Sequence, residues 1–93
     1  MSVIRSNVND VFGSNRRYEI VDVVEIEGAK YALLLPLLGD GVSSEVVILG
    51  IDEGHKDAVT GSYVSVTDEK ALMHAYAVFA QRNKGTTNLV DTV

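Results

Sequence analysis

The stretch EIEGAKYALLLP at residues 25–36 constrains the fold of this chain more than any other. Gly28 lies between two apolar runs, and glycine accepts the positive φ that a tight hairpin turn requires. Residues 31–35 show no polar alternation, which predicts a central strand with contacts on both faces. Pro36 is the one proline of the chain. It cannot donate a ladder hydrogen bond, so the second strand of the hairpin is predicted to end there.

The strand before this turn, residues 18–26, alternates only in part between apolar and acidic side chains, since Val21 and Val23 lie on the acidic parity. Ile20, Val24 and Ile26 share one parity and are predicted to face the core. Asp22 lies on that same parity, and a buried carboxylate needs hydrogen bonds or a charged partner. Either a β-bulge near Asp22 or a strand covered partly on both faces would reconcile the pattern.

Two further strands and a helix are predicted after the hairpin. Residues 45–51 and 62–66 are rich in β-branched residues, and residues 39–44 are a loop by composition. Thr67 or Asp68 can cap the helix that follows. Apolar side chains then recur at helical spacing, at Leu72, Ala75, Tyr76 and Phe79. The predicted fold is α+β, an antiparallel meander of four to five strands with one C-terminal amphipathic helix packed on one face.

The chain has 93 residues, which predicts a single domain, placed over residues 1–85. Residues 86–93 follow the predicted helix and are predicted to be a disordered tail. Its longest apolar run, residues 31–38, is broken by a proline and is far shorter than the roughly 20 residues of a membrane-spanning helix. The sequence contains no cysteine, which excludes disulfides, zinc–thiolate sites and thiol catalysis. This composition is typical of a cytoplasmic protein.

The charge balance argues against two classes of partner. Thirteen acidic residues against eight basic ones give a formal net charge of −5. Such a field repels phosphate backbones and anionic membrane surfaces, so neither nucleic acid nor membrane is predicted as a partner.

Residues 27–36, together with a D-x-x-G turn at Asp10 and Gly13, are similar to a known family. From residue 10 to about residue 79 the chain resembles the YrzB-like family of small, acidic, uncharacterised bacterial proteins. The resemblance implies an α+β domain of unknown function, and it brings no established activity, cofactor or catalytic residue. It also implies a short strand over residues 8–12, before a turn at residues 13–15.

One loop concentrates residues that can ligate metals. Asp52, Glu53, His55 and Asp57 put three carboxylates and an imidazole within six positions. Their spacing matches neither the calcium-loop template nor a two-histidine motif, which favours a solvated loop over a metal site. We predict no metal and no cofactor, and we leave open whether residues 52–60 bind an ion or become ordered on binding.

No assembled catalytic set is visible, so the chain is not predicted to be an enzyme. Neither a G-x-S-x-G elbow nor a phosphate-binding loop is present. The main hypothesis is a non-catalytic interaction or accessory module in the cytoplasm, which binds a protein partner or a second copy through a sheet edge or an uncovered sheet face. The alternative is a small-ligand or metal binder, or a minor enzyme, that uses Asp22, His55 or His74.

Four tyrosines are predicted to form either an aromatic binding surface or the margin of the core: Tyr18, Tyr31, Tyr63 and Tyr76.

Overall fold

The computed structural model describes residues 3–37 and 45–82. Its elements, in chain order, are β1 (Val3–Arg5), α1 (Val8–Phe12), β2 (Tyr18–Ile26), β3 (Ala29–Pro36), β4 (Glu45–Ile51), β5 (Tyr63–Val64) and α2 (Glu69–Arg82). The strands form one open, mixed sheet in the order β1–β4–β3–β2, and β5 pairs with the end of β4. The predicted α+β fold with a C-terminal helix is confirmed. The predicted loop at residues 39–44 and tail at residues 86–93 lie outside the described residues.

The turn of the β2–β3 hairpin consists of Glu27 and Gly28, as predicted. Ile26 pairs with Ala29 across it, and the two turn residues have φ values of 51° and 85°. Positive φ at both central residues is the mark of a type I′ turn, whose twist matches that of the flanking strands. A Cβ atom built at Gly28 would meet nothing within 4 Å, so a larger residue there is opposed by its backbone conformation alone.

Strand β3 lies in the middle of the sheet and contributes to a hydrophobic cluster on each face. The first cluster lies under α2 and contains the buried residues Val24, Leu33, Val46, Ile48, Ala75 and Phe79. The second cluster lies on the other face and contains the buried residues Ala32, Leu34, Val47 and Leu49. Because successive side chains of a strand point to opposite faces, the unbroken apolar run of β3 supplies both clusters. The predicted two-sided burial of this strand is confirmed.

Strand β1 was not predicted, and it pairs with β4 in parallel, with Val3 opposite Glu45 and Arg5 opposite Val47. The other pairings are antiparallel, as expected for a meander. Since β2 and β4 both run antiparallel to β3, β1 and β2 run in the same direction. Parallel strands need a crossover connection, and α1 lies in the segment that crosses from β1 to β2.

The strand predicted over residues 8–12 is wrong, because Val8–Phe12 forms the helix α1. The Asn7 side chain accepts a hydrogen bond from the Asn9 amide at 2.9 Å and caps the first turn. Val8 and Val11 then pack against the second cluster. The sheet therefore carries α2 on one face and the short helix α1 on the other.

The predicted fourth strand, residues 62–66, shortens to β5 because β1 occupies the rest of the same edge of β4. The two segments meet through a pair of serines. The Val8 amide donates to Ser65 Oγ at 2.9 Å, and the Val66 amide donates to Ser6 Oγ at 2.7 Å. These bonds satisfy backbone donors where neither strand can continue along β4.

We expect truncation of the central strand to be costly. Leu33→Ala or Leu34→Ala should lower the free energy of unfolding by ~2–5 kcal/mol, because each removes a buried side chain from one cluster. The exposed turn residue Glu27 is the control, and Glu27→Ala should leave the midpoint of urea unfolding nearly unchanged. Wild-type midpoints for both leucine variants would contradict this account of the core.

Candidate functional site

The acidic loop after β4 directs its first two carboxylates to different partners. Asp52 Oδ1 accepts a hydrogen bond from the Gly54 amide at 3.0 Å. Glu53 forms an exposed ion pair with Lys30 on β3, with 3.5 Å between its Oε1 and the lysine Nζ. Both groups therefore organise the loop or its contact with the sheet.

Asp57 also binds the loop backbone. Its Oδ1 accepts hydrogen bonds from the amides of Val59 and Thr60, at 2.7 and 3.0 Å. These bonds to the Thr60 and Val59 amides lower the pKa of the Asp57 carboxyl below its ordinary value of 3.8, and the neighbouring His55 acts in the same direction. Within residues 3–37 and 45–82, no group of three or more His, Cys, Asp or Glu side chains is placed to hold a metal ion.

The three candidate catalytic residues are not brought together. Asp22 lies on β2 at one edge of the sheet, whereas His55 borders a depression beside β5 at the other edge. His74 is exposed on α2. This arrangement gives no shared pocket in which the carboxylate and the imidazoles could act on one substrate.

Of the two alternatives left open for the strand around Asp22, the β-bulge is present. Ile20 pairs with Leu34 and Asp22 pairs with Leu33, so Val21 is the extra residue of β2. The Asp22 side chain is only 12% exposed, and its Oδ1 lies 3.4 Å from Arg82 Nη2. It therefore has the charged partner that a carboxylate on the apolar parity requires.

Arg82 and Asp22 both bind the backbone of Val23. The Val23 amide donates to Asp22 Oδ1 at 2.8 Å, and the Val23 carbonyl accepts from Arg82 Nη1 at 3.1 Å. We call the side chains of Asp22 and Arg82 the edge lock. It joins the last turn of α2 to the middle of β2.

Ile20 lies on the opposite face from the one predicted. The prediction grouped it with Val24 and Ile26, but the extra residue Val21 reverses the alternation before the bulge. Ile20 and Val23 consequently share the face of the second cluster, where they are 49% and 44% exposed. We call these two side chains the β2 patch.

Helix α1 explains why the β2 patch is left uncovered by the helices of the described residues. It has five residues, which corresponds to a length of about 7.5 Å. Its Val8 and Val11 pack on the second cluster, and its Phe12 contacts Tyr63 of β5 with ring centroids 5.9 Å apart. The helix thus covers the β4–β5 side of this face.

Acidic side chains are frequent along β2 and its turn. Within residues 18–27 there is no lysine or arginine, and the acidic residues there are Glu19, Asp22, Glu25 and Glu27. Arg82 is the cation that pairs with Asp22. Glu19, Glu25 and Glu27 are exposed, so they give this edge of the molecule a negative field.

The tyrosines do not form one aromatic surface. Tyr18 and Tyr63 pack against the second cluster, whereas Tyr31 and Tyr76 pack against the first. All four are half-buried. Their positions agree with the predicted margin of the core.

One open depression of about 490 Å³ lies between α1 and the loop before β5. Phe12 and Val59 supply exposed apolar surface to it, and Val59 is 69% exposed. His55 and Asp57 also border it. Asp57 Oδ1 already accepts from two amides of the loop, so this carboxylate is engaged in the structure of the loop itself.

Asp57 should make the stability depend on pH in the acid range. A carboxyl whose folded pKa is lowered stabilises the fold fully above its unfolded pKa, and this contribution disappears as the pH falls through the folded pKa. The difference in unfolding free energy between wild type and Asp57→Asn should be constant at neutral pH and should shrink below pH 3.8. Urea unfolding across a pH series measures it. A difference that is the same at neutral and strongly acid pH would contradict the prediction.

Neither helix in the described part of the chain is long and apolar enough to cross a membrane. No match was found among curated proteins, and none among solved structures. Residues 13–84 match the model of a family described as a protein of unknown function, DUF1292. This match spans the sheet from β2 onward, the edge lock, the β2 patch and all of α2. The chain therefore belongs to the DUF1292 family.

Proposed function

We propose that this protein is a small, non-catalytic interaction module that binds a partner protein through the β2 patch. The carrying observation is the exposure of Ile20 and Val23, which lie on the sheet face that also carries the buried second cluster. Exposed apolar side chains next to a buried cluster are a common start for a protein interface. The bulge that places them together also fixes their spacing.

The charge around the patch indicates the chemistry of the partner. Glu25 shares the face of the patch, and Glu19 and Glu27 lie on the same strand and its turn, so a partner that presents lysine or arginine beside apolar side chains is favoured. A second copy of this chain would bring the same glutamates together. The proposed partner is therefore a different protein with a basic and apolar surface.

Such an interface is expected to be weak or transient unless the partner reaches beyond the patch. Two half-exposed aliphatic side chains supply little apolar area, whereas stable interfaces bury about 1,000 Å² or more. The depression beside α1 lies on the same face of the sheet as the β2 patch, toward the opposite edge. A partner that extends to it would use the exposed Phe12 and Val59 as well.

The non-catalytic assignment rests on the engagement of the candidate groups. Asp22 is held by Arg82 and the Val23 amide. His55 lies in the loop between β4 and β5, and His74 is exposed on α2. A role for these residues in a ligand site or a minor enzyme has no comparable observation in its favour.

We also propose a narrower family placement and a cellular location for this protein. Within the DUF1292 family, residues 27–36 support placement with the YrzB-like bacterial proteins. A cytoplasmic location is supported by the absence of cysteine from the sequence.

The proposal can be tested with a defined probe and the full chain. The probe is a synthetic peptide of alternating lysine and leucine, and its counterpart has glutamate in place of lysine. We expect the lysine peptide to shift the amide resonances of residues 20–25 in an NMR titration, and salt should weaken its binding. The double variant Ile20→Ser, Val23→Ser should bind at least about tenfold more weakly, because it removes the apolar contact.

Met73→Ser is the control, because it also truncates an exposed apolar side chain but lies on α2, at the other face of the sheet, and leaves the β2 patch intact. It should bind the lysine peptide as wild type does. Equal affinity for the two peptides, or unchanged binding by the double variant, would contradict the proposed interface.

A further inference from the structure

Strand β2 is a sheet edge within the described part of the chain. It has nine residues, and its paired neighbour there is β3. A long edge strand presents unpaired amides and carbonyls, which another strand can use as a template. A protein with such an edge needs a feature that prevents unwanted pairing.

The edge lock occupies the middle of this edge. Both backbone groups of Val23 are taken, the amide by Asp22 Oδ1 and the carbonyl by Arg82 Nη1. An incoming strand would have to break the bond from the arginine, which is charge-assisted and therefore stronger than a neutral one. It would also have to accommodate the guanidinium group, which lies against the strand.

The bulge also opposes the pairing of another strand with this edge. Val21 is the extra residue directly before the locked position, and a bulge bends the strand and interrupts its ladder. Regular backbone would be left only in the short stretches on either side, residues 18–20 and 24–26. Neither stretch is long enough for an extended ladder.

We infer that Asp22 and Arg82 exclude a second copy of this chain from the edge of β2, and that Arg82 is the residue that decides this. A partner can then contact the side chains of β2, but a second strand cannot form backbone hydrogen bonds with the middle of its edge. A second copy is the relevant occupant because it is always present and carries the same edge. Repulsion among the edge glutamates opposes pairing as well, but salt screens it. At high salt the hydrogen bond from Arg82 to the Val23 carbonyl and the bulk of the guanidinium group still block the edge.

Backbone pairing at the edge of β2 and side-chain contact on the β2 patch are separate properties of the strand. Loss of the lock should therefore change self-association and leave binding of the lysine peptide to the patch in place.

The test compares Arg82→Ala with Arg5→Ala in the full chain by sedimentation velocity at about 1 M salt, where the screening length is about 3 Å. The control removes the same charge from the exposed Arg5, on β1 at the other edge of the sheet. We expect Arg82→Ala to self-associate at least about tenfold more tightly than the control. Arg82 also holds Asp22, which accepts from the Val23 amide. Hydrogen exchange of that amide should therefore become faster in the Arg82→Ala monomer.

Arg82→Lys serves as a second variant, because it keeps the charge but lacks the planar fork that bridges the carbonyl and the carboxylate. It should fall between wild type and Arg82→Ala in self-association. If Arg82→Ala stays as monomeric as Arg5→Ala, or if exchange of the Val23 amide does not change, the inference is wrong.

Discussion

The extra residue in β2 is the constraint on which the rest of the molecule depends. Val21 shifts the register against β3 by one position, and a shift of one residue exchanges the two faces of a strand. Asp22 and Val24 consequently face α2, while Ile20 and Val23 lie together on the other face. Without this bulge Ile20 would join the core, and the β2 patch would not exist.

The bulge also explains how a carboxylate is accommodated beside an apolar cluster. Asp22 reaches the Val23 amide and the guanidinium of Arg82, so its charge is compensated at the margin of the core. One pair of residues thereby ties the end of α2 to β2 and closes the middle of a sheet edge. The opposite edge is completed differently, by β1 and β5 in line and by the reciprocal bonds of Ser6 and Ser65.

Local patterns predicted the parts of the fold that local physics controls. The hairpin turn, the two-sided burial of β3 and the cap at Asp68, whose Oδ1 accepts from the Lys70 amide at 3.0 Å, follow from short stretches of sequence. Helix α1 has a local signal in the cap residue Asn7, whereas the strand expected over residues 8–12 was implied by the family resemblance alone. Strand β1 is three residues long and pairs with residues more than forty positions away, so no local pattern indicates it.

The candidate site was predictable only in part for the same reason. Asp22 stood out because it breaks an apolar parity, but its partner Arg82 lies 60 positions later. The exposure of Ile20 depends on which residue is bulged, and periodicity alone does not locate this. The acidic loop, in contrast, depends on local contacts. Asp52 and Asp57 accept hydrogen bonds from amides two or three residues later in the chain. Such short-range turns explain a cluster of carboxylates without a metal ion.

The most direct test of this account is the register of the β2–β3 pair in solution. Cross-strand nuclear Overhauser effects should place Ile20 opposite Leu34 and Asp22 opposite Leu33, with Val21 opposite no residue of its own. This result would fix the faces of Ile20, Asp22 and Val23 together. An unbroken register, with successive residues of β2 opposite successive residues of β3, would contradict it and remove both the β2 patch and the edge lock.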